Sequence, residues 1–180
     1  SGLCRLEGEK FVKLELPNWE VKGDEPSWAL GAIRCLAEDS KGDIWIGVDG
    51  MGVLIYDGAN FKQLSTKDGL CDNSVTCILT DQKGKTWISS MFVGVSCYDG
   101  KRFVNFSMEN GRIGGNECWT MMGDHAGNIW FSCEGFGVYR YDGQTLTNFW
   151  ERDGLMVKAV QTIHEDKPGR IWVGGGGGLY

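Results

Sequence analysis

The stretch GDIWIGVDGMGVLIYDGANF, residues 42–61, decides the fold, because the chain says it again. GKTWISSMFVGVSCYDGKRF follows at 84–103, GNIWFSCEGFGVYRYDGQTL at 127–146, and a shorter GRIWVGGGGGLY at 169–180. The tryptophans set the ruler: Trp45, Trp87, Trp130 and Trp172 are separated by 42, 43 and 42 residues. Asp39, Asp81, Asp124 and Asp166 keep the same spacing, as do Tyr56, Tyr98 and Tyr141 within their Tyr-Asp-Gly triplets. Each unit reads as four short strands: an apolar segment such as SVTCILT, then KTWIS, then VSCYD, then RFVNF. Asp-Gly pairs supply the positive φ of tight hairpins without steric cost. No segment shows a sustained helical period. Four-stranded units at intervals of 40–45 residues are the signature of an all-β propeller, each unit one blade.

The repeat divides the chain into units at about 33–74, 75–117 and 118–159. A fourth is split between the ends, 160–180 with 1–16, because GLCRLEGEKF at the start matches GVLIYDGANF. The whole reads as one propeller domain or a piece of a larger one. Closure within the chain, with a second copy, or inside a longer propeller are all open on this reading. Large rings at recurring depths suit blades packed face to face. Burying ~200 Å² of a Trp contributes on the order of 5 kcal/mol as an upper bound.

Composition narrows the function. The formal net charge of −6 and the lack of any Lys/Arg run argue against nucleic acid, which rewards a basic face. No apolar stretch approaches the ~20 residues of a membrane helix, so no membrane insertion is expected, and the first residues do not read as a signal peptide. Seven cysteines include no C-x-x-C pair. Cys35 and Cys77 share a repeat position with Thr120 and Thr162, and Cys118 shares one with Ile33, Val75 and Val160. They read as small core residues rather than disulfides or metal ligands. The two histidines keep no metal-ligand spacing, and GGGGG lacks the Lys-Ser/Thr of a phosphate loop. No metal or cofactor is expected.

These residues carry a family resemblance. Asp39, Gly42, Trp45, Gly47, Gly52 and Tyr56, followed by Asp68-Gly69-Leu70, resemble the two-component regulator propeller repeat. So do Asp166, Gly169, Trp172 and Gly174, with Asp153-Gly154-Leu155 before them. The resemblance implies a bacterial extracytoplasmic sensor domain that responds to polysaccharide fragments and feeds a signalling domain elsewhere in a longer parent chain. It therefore implies a periplasmic or extracellular setting, although the cysteine content also suits cytoplasm.

Candidate site residues follow from the departures between copies. In a propeller the first strand of each blade is innermost, so the middle hairpin loops and the inter-blade connections share one mouth. The hairpin loops differ, VDGM, SMFV and CEGF, and place Asp49, Phe92, Glu134 and Phe136 on that rim. The first connection is longest, 22 residues from Phe11 to Ile33 against 14 from Phe61 to Val75, and it carries Trp19 and Trp28. The starts of the inner strands place Arg34, Thr76, Trp119 and Gln161 at one position, with Asn116 and Glu117 just before the third. Rings beside carboxylates suit an oligosaccharide or another small-molecule ligand. The expected function is a non-catalytic recognition module. The alternatives are a protein–protein interaction scaffold, including a homo-oligomer that completes the propeller, and, behind both, a polysaccharide lyase or hydrolase. No two carboxylates are paired by the sequence as acid and base.

Overall fold

The structure, a computed structural model, describes residues 2–17, 31–157, 159–176 and 178–179. The chain forms antiparallel meanders of one pattern. A hairpin, β1 (Leu3–Glu7) with β2 (Lys10–Leu14), comes first. Three four-stranded sheets follow: β3 (Ile33–Glu38), β4 (Ile44–Val48), β5 (Gly52–Tyr56) and β6 (Phe61–Leu64); β7 (Val75–Thr80), β8 (Thr86–Ser90), β9 (Gly94–Tyr98) and β10 (Phe103–Ser107); β11 (Met121–Gly123), β12 (Ile129–Ser132), β13 (Val138–Tyr141) and β14 (Leu146–Phe149). A three-stranded sheet of β15 (Ala159–Glu165), β16 (Ile171–Gly176) and β17 (Gly178–Leu179) closes the series. First strands of successive sheets lie side by side, β3 against β7, β7 against β11, and β11 against β15. This is the all-β propeller arrangement expected from the repeat.

A staple explains why Asp and Trp recur six residues apart. Asp39 Oδ1 accepts the backbone N–H groups of Lys41 and Asp43, closing the turn, while Oδ2 accepts the Trp45 indole N–H at 3.0 Å. The same Asp-to-Trp bond measures 3.0 Å from Trp87 to Asp81, 2.8 Å from Trp130 to Asp124 and 2.8 Å from Trp172 to Asp166. The carboxylate satisfies the turn and fixes the ring orientation together. In the Tyr-Asp-Gly triplets Asp57, Asp99 and Asp142 cap the next hairpin in the same way. Each tyrosine hydroxyl donates to the glycine carbonyl two residues on.

The rings then join sheet to sheet. Trp45 packs with Val75 and Ile78 of the following sheet, Trp87 with Phe131 and Tyr141, and Trp130 with Val160, Ile163 and Val173. Trp172 differs: it is 37% exposed where Trp45, Trp87 and Trp130 are 4%, 2% and 8%. Leu36 shows the converse. Its repeat counterparts Ile78, Met121 and Ile163 are buried by the preceding sheet, but Leu36 is 55% exposed, and among the described strands β1 and β2 are the two that precede it. A largely apolar groove of about 310 Å³ lies there, lined by Leu3, Leu14, Leu36, Ile44 and Tyr56. The described strands of the two terminal sheets do not pair with each other.

Two short features were not legible in the strand pattern. Single 3-10 turns occur at Thr66–Asp68 and Glu151–Asp153. They account for the Asp-Gly-Leu signature: Asp68 accepts the Ser65 N–H, Gly69 takes φ 100°, and Leu70 is buried. Asp153, Gly154 and Leu155 repeat this against Trp150. In the unit with the 43-residue spacing, Asn110 and Gly111 take those places, and Ile113 is buried one residue later than expected. The intervening Arg112 lies over the Phe106 ring at 4.9 Å. At the start of each third strand, Gly52, Gly94 and Gly137 have positive φ, and a Cβ there would fall 2.2–2.4 Å from a carbonyl oxygen of the fourth strand.

Candidate functional site

The inner strands begin with an irregularity that frees one side chain. Register shifts lie between Ile33 and Cys35, Val75 and Cys77, and Val160 and Thr162, leaving Arg34, Thr76 and Gln161 as the extra residues. A bulge of this kind re-aims its side chain and ends regular pairing. In the third sheet the disturbance is larger: β11 starts only at Met121, and the N–H groups of Trp119 and Thr120 both donate to Ser132 Oγ at 3.2 Å. Beside each start lies the middle hairpin loop. The N–H groups of Asp49, Met91 and Glu134 donate to the carbonyls of Ala32, Ser74 and Glu117, each at 2.9 Å.

Three of the four side chains at this position meet a polar partner. Arg34 donates to Asp49 Oδ2 from Nε at 3.1 Å and from Nη2 at 2.6 Å; Asp49 is buried and Arg34 partly exposed. Thr76 bonds Ser89 Oγ at 2.8 Å and donates to the Cys118 carbonyl. Trp119, 40% exposed, donates its indole N–H to Glu134 Oε2 at 3.3 Å. Arg34–Asp49 and Trp119–Glu134 are thus one structural position filled by two chemistries. A shared hydrogen bond with Glu134, and then partial burial, raise the Glu117 carboxyl above its usual range. Between the third and fourth sheets a cleft of about 490 Å³ is lined by Trp119, Glu134, Ala159, Val160 and Gln161.

The remaining candidates are placed as follows. Phe92 is 45% exposed on the second hairpin loop, its N–H held by Asp72 Oδ2 at 3.2 Å. Asn116 is exposed next to Glu117. Phe136 turns inward, packing on Trp150 with ring centroids 5.1 Å apart and lying so close over Gly114 that a Cβ there would sit 2.4 Å from its ring. Trp19 and Trp28 lie outside the described residues. Sequence reasoning missed Ser132, whose hydroxyl organises the Trp119 segment, and the juxtaposition of Cys118 with Cys133. The only signal for the latter was that the third unit alone has cysteine at both positions. Among the described residues no group of His, Cys, Asp and Glu has the arrangement of a metal site. Burial pushes the Cys35 thiol up to about 12 and the Cys97 thiol up to about 11, keeping both neutral. No helix among the described residues is long and apolar enough to cross a membrane.

Comparison with known proteins agrees with this architecture. The two-component regulator propeller family matches at residues 28–50, 69–92 and 154–177. No curated protein matches the chain. Among solved structures, the extracellular domain of a one-component system from B. thetaiotaomicron is similar, with TM-score 0.71 and 21% identity over 99% of this chain and 26% of that one. The extracellular domain of a hybrid two-component system from B. thetaiotaomicron gives TM-score 0.71 and 20% identity over 99% of this chain and 27% of that one. A virginiamycin B lyase from Staphylococcus aureus gives TM-score 0.64 and 16% identity over 91% of this chain and 52% of that one. The chain therefore spans about a quarter of the two extracellular domains and about half of the lyase. At these identities the likeness is one of fold. The repeat, the staples and the fold likeness agree on an all-β propeller arrangement, and three stretches of the chain match the two-component regulator propeller repeat.

Proposed function

We propose that the chain is a non-catalytic recognition module of an extracytoplasmic sensor, with a neutral oligosaccharide bound at the mouth formed by the inner-strand starts. One observation carries the reading: the cleft of about 490 Å³ in which an exposed Trp119 stands beside Glu134 and Gln161. The indole face offers stacking to sugar C–H groups, while the carboxylate and amide accept from and donate to hydroxyls. Arg34, Asp49, Phe92, Asn116 and Glu117 extend the same mouth, and the segment carrying Trp19 and Trp28 belongs to the same proposal. A catalytic reading is less well supported. The Glu134 carboxyl raises that of Glu117, as a close neighbour does, whereas acid and base flanking a glycosidic bond stand about 5 Å or more apart. Signalling would then come from another domain of a longer parent chain, in keeping with the extracellular domains whose fold it shares. Titration with a panel of neutral oligosaccharides, followed by tryptophan fluorescence, tests the reading. Saturable binding that disappears in Trp119→Ala with the fold intact is expected. Binding that survives the substitution unchanged overturns the placement.

A second reading, association through blade faces, is favoured by Leu36 and Trp172. The two residues are exposed where every repeat counterpart is buried against a neighbouring sheet. In the repeat, the second-strand Trp of one sheet covers the inner-strand apolar residue of the next. The Trp172 face of one copy therefore fits the Leu36 face of another. β15 and β16 would then supply the two inner strands that β1 and β2 lack.

A further inference from the structure

Cys118 and Cys133 face each other at the base of the mouth. Their counterparts in the other units, Ile33 with Val48, Val75 with Ser90 and Val160 with Gly175, are directly opposed across the first two strands. In the third unit the two Sγ atoms are 3.6 Å apart, and both residues are buried, at 0% and 1% exposure. Cys133 Sγ also donates to the Gly115 carbonyl at 3.0 Å, so its position is fixed from a second direction. The thiols are flanked by site residues on both strands: Glu117 and Trp119 adjoin Cys118, and Glu134 adjoins Cys133. We propose that Cys118 and Cys133 are an oxidisable thiol pair that a peroxide converts to a disulfide, resetting the Trp119–Glu134 contact above it.

The chemistry balances without any further reagent. The hydrogen bond from Cys118 holds the Cys133 thiol below its ordinary value, and that contact, with burial, drives Cys118 upward. In the proposed sequence of steps Cys133, which faces Cys118 at 3.6 Å, is the first nucleophile. Its thiolate attacks one peroxide oxygen, the O–O bond breaks, and a sulfenic acid forms while the departing hydroxide takes up a proton as water. The Cys118 sulfur then attacks the Cys133 sulfur. The S–S bond forms, the S–O bond breaks, and the leaving hydroxide departs with the Cys118 proton as a second water. Two thiols are oxidised by two electrons, and one peroxide is reduced to two waters. Burial favours a small oxidant of this class over a bulky disulfide. Contraction from 3.6 Å to about 2.05 Å draws together the segment before β11 and the one after β12.

The test is peroxide treatment of the folded chain, followed by alkylation, digestion and mass spectrometry. The expected result is a peptide linked through Cys118 and Cys133, loss of two of the seven free thiols, and recovery with dithiothreitol. A fluorescence change that is absent in Trp119→Phe should accompany the linkage. Cys118→Val and Cys133→Ser place at these sites the residues found in neighbouring units, Val75 or Val160 and Ser90, so both variants should fold, and in neither should peroxide form the linkage or consume two thiols. Full alkylation of both cysteines after peroxide, with the wild-type fold intact, overturns the proposal. Linkage through other cysteines, or the same thiol loss in Cys118→Val, overturns it equally.

Discussion

Trp87 donates its indole N–H to Asp81 at 3.0 Å while its ring packs on Tyr141 of the next sheet, with centroids 5.5 Å apart. One residue thus ties a turn of its own unit to the face of its neighbour. Trp87→Ala should cost roughly 3–5 kcal/mol, read from urea midpoints. Trp87→Phe keeps most of the ring and loses the charge-assisted bond, about 1.5–3 kcal/mol. An unchanged midpoint for Trp87→Ala would show that the sheets do not depend on this contact.

Acid should loosen the staples. The Trp172 indole, with Arg170, lowers the Asp166 carboxyl to about 2 despite the opposing effect of burial. For Asp39 and Asp124, burial is the largest single influence and acts upward, but the bonds from Trp45 and Trp130 and from the turn N–H groups outweigh it, leaving both lowered. A carboxylate depressed on folding contributes stability that is complete above its unfolded value of about 3.9 and is lost as pH falls towards its folded value. Denaturation curves should shift to lower urea as pH falls from about 5 to 2. Asp166→Asn should flatten that dependence. Parallel curves for the variant and the wild type would refute it.

Two glycines of one sheet should behave differently. Gly94 has φ 139°, and a Cβ would lie 2.2 Å from the Phe106 carbonyl oxygen, whereas at Gly100, with φ 94°, it would meet nothing within 4 Å. Gly100→Ala pays only for the backbone conformation, about 1 kcal/mol. Gly94→Ala must also displace β10, so its loss should be at least twice as large, about 2 kcal/mol or more. Equal losses in thermal unfolding would mean that the fourth strand yields freely.

The exposed Leu36 and Trp172 faces should be measurable in solution. Sedimentation is expected to show concentration-dependent self-association, abolished by Leu36→Asp and by Trp172→Asp without a change in far-ultraviolet circular dichroism. A monomer at every concentration would remove the blade-face reading and leave ligand recognition untouched.

The fold was legible because its constraints are local and recur. Asp39 and Trp45, or Tyr56 and Gly58, lie within one turn of each other, so their spacing survives in the sequence. The site was legible only in part. That Arg34 and Trp119 occupy one position could be counted, but the bulge that frees Arg34 and the late start of β11 beyond Trp119 depend on pairing with the next strand. Phe136 read as a rim residue because it sits on a variable loop; only Gly114, distant from it in sequence, makes room for it to turn inward. Trp172 read like its three counterparts, yet burial of a second-strand ring depends on the following sheet, which its own repeat does not encode.

The bulge at three of the four inner-strand starts separates what the position carries from what the fold needs. Its neighbours on either side, Ile33 and Cys35 or Val75 and Cys77, keep the pairing, while the side chain between them bonds another side chain, Arg34 the Asp49 carboxylate of the hairpin loop and Thr76 the Ser89 hydroxyl of β8. The two members of each such pair can therefore be exchanged together, as Arg34→Trp with Asp49→Glu would do in imitation of the third unit. Recognition in such a chain is modular at the scale of two residues, and new specificities can arise by editing one unit while its neighbours hold the frame.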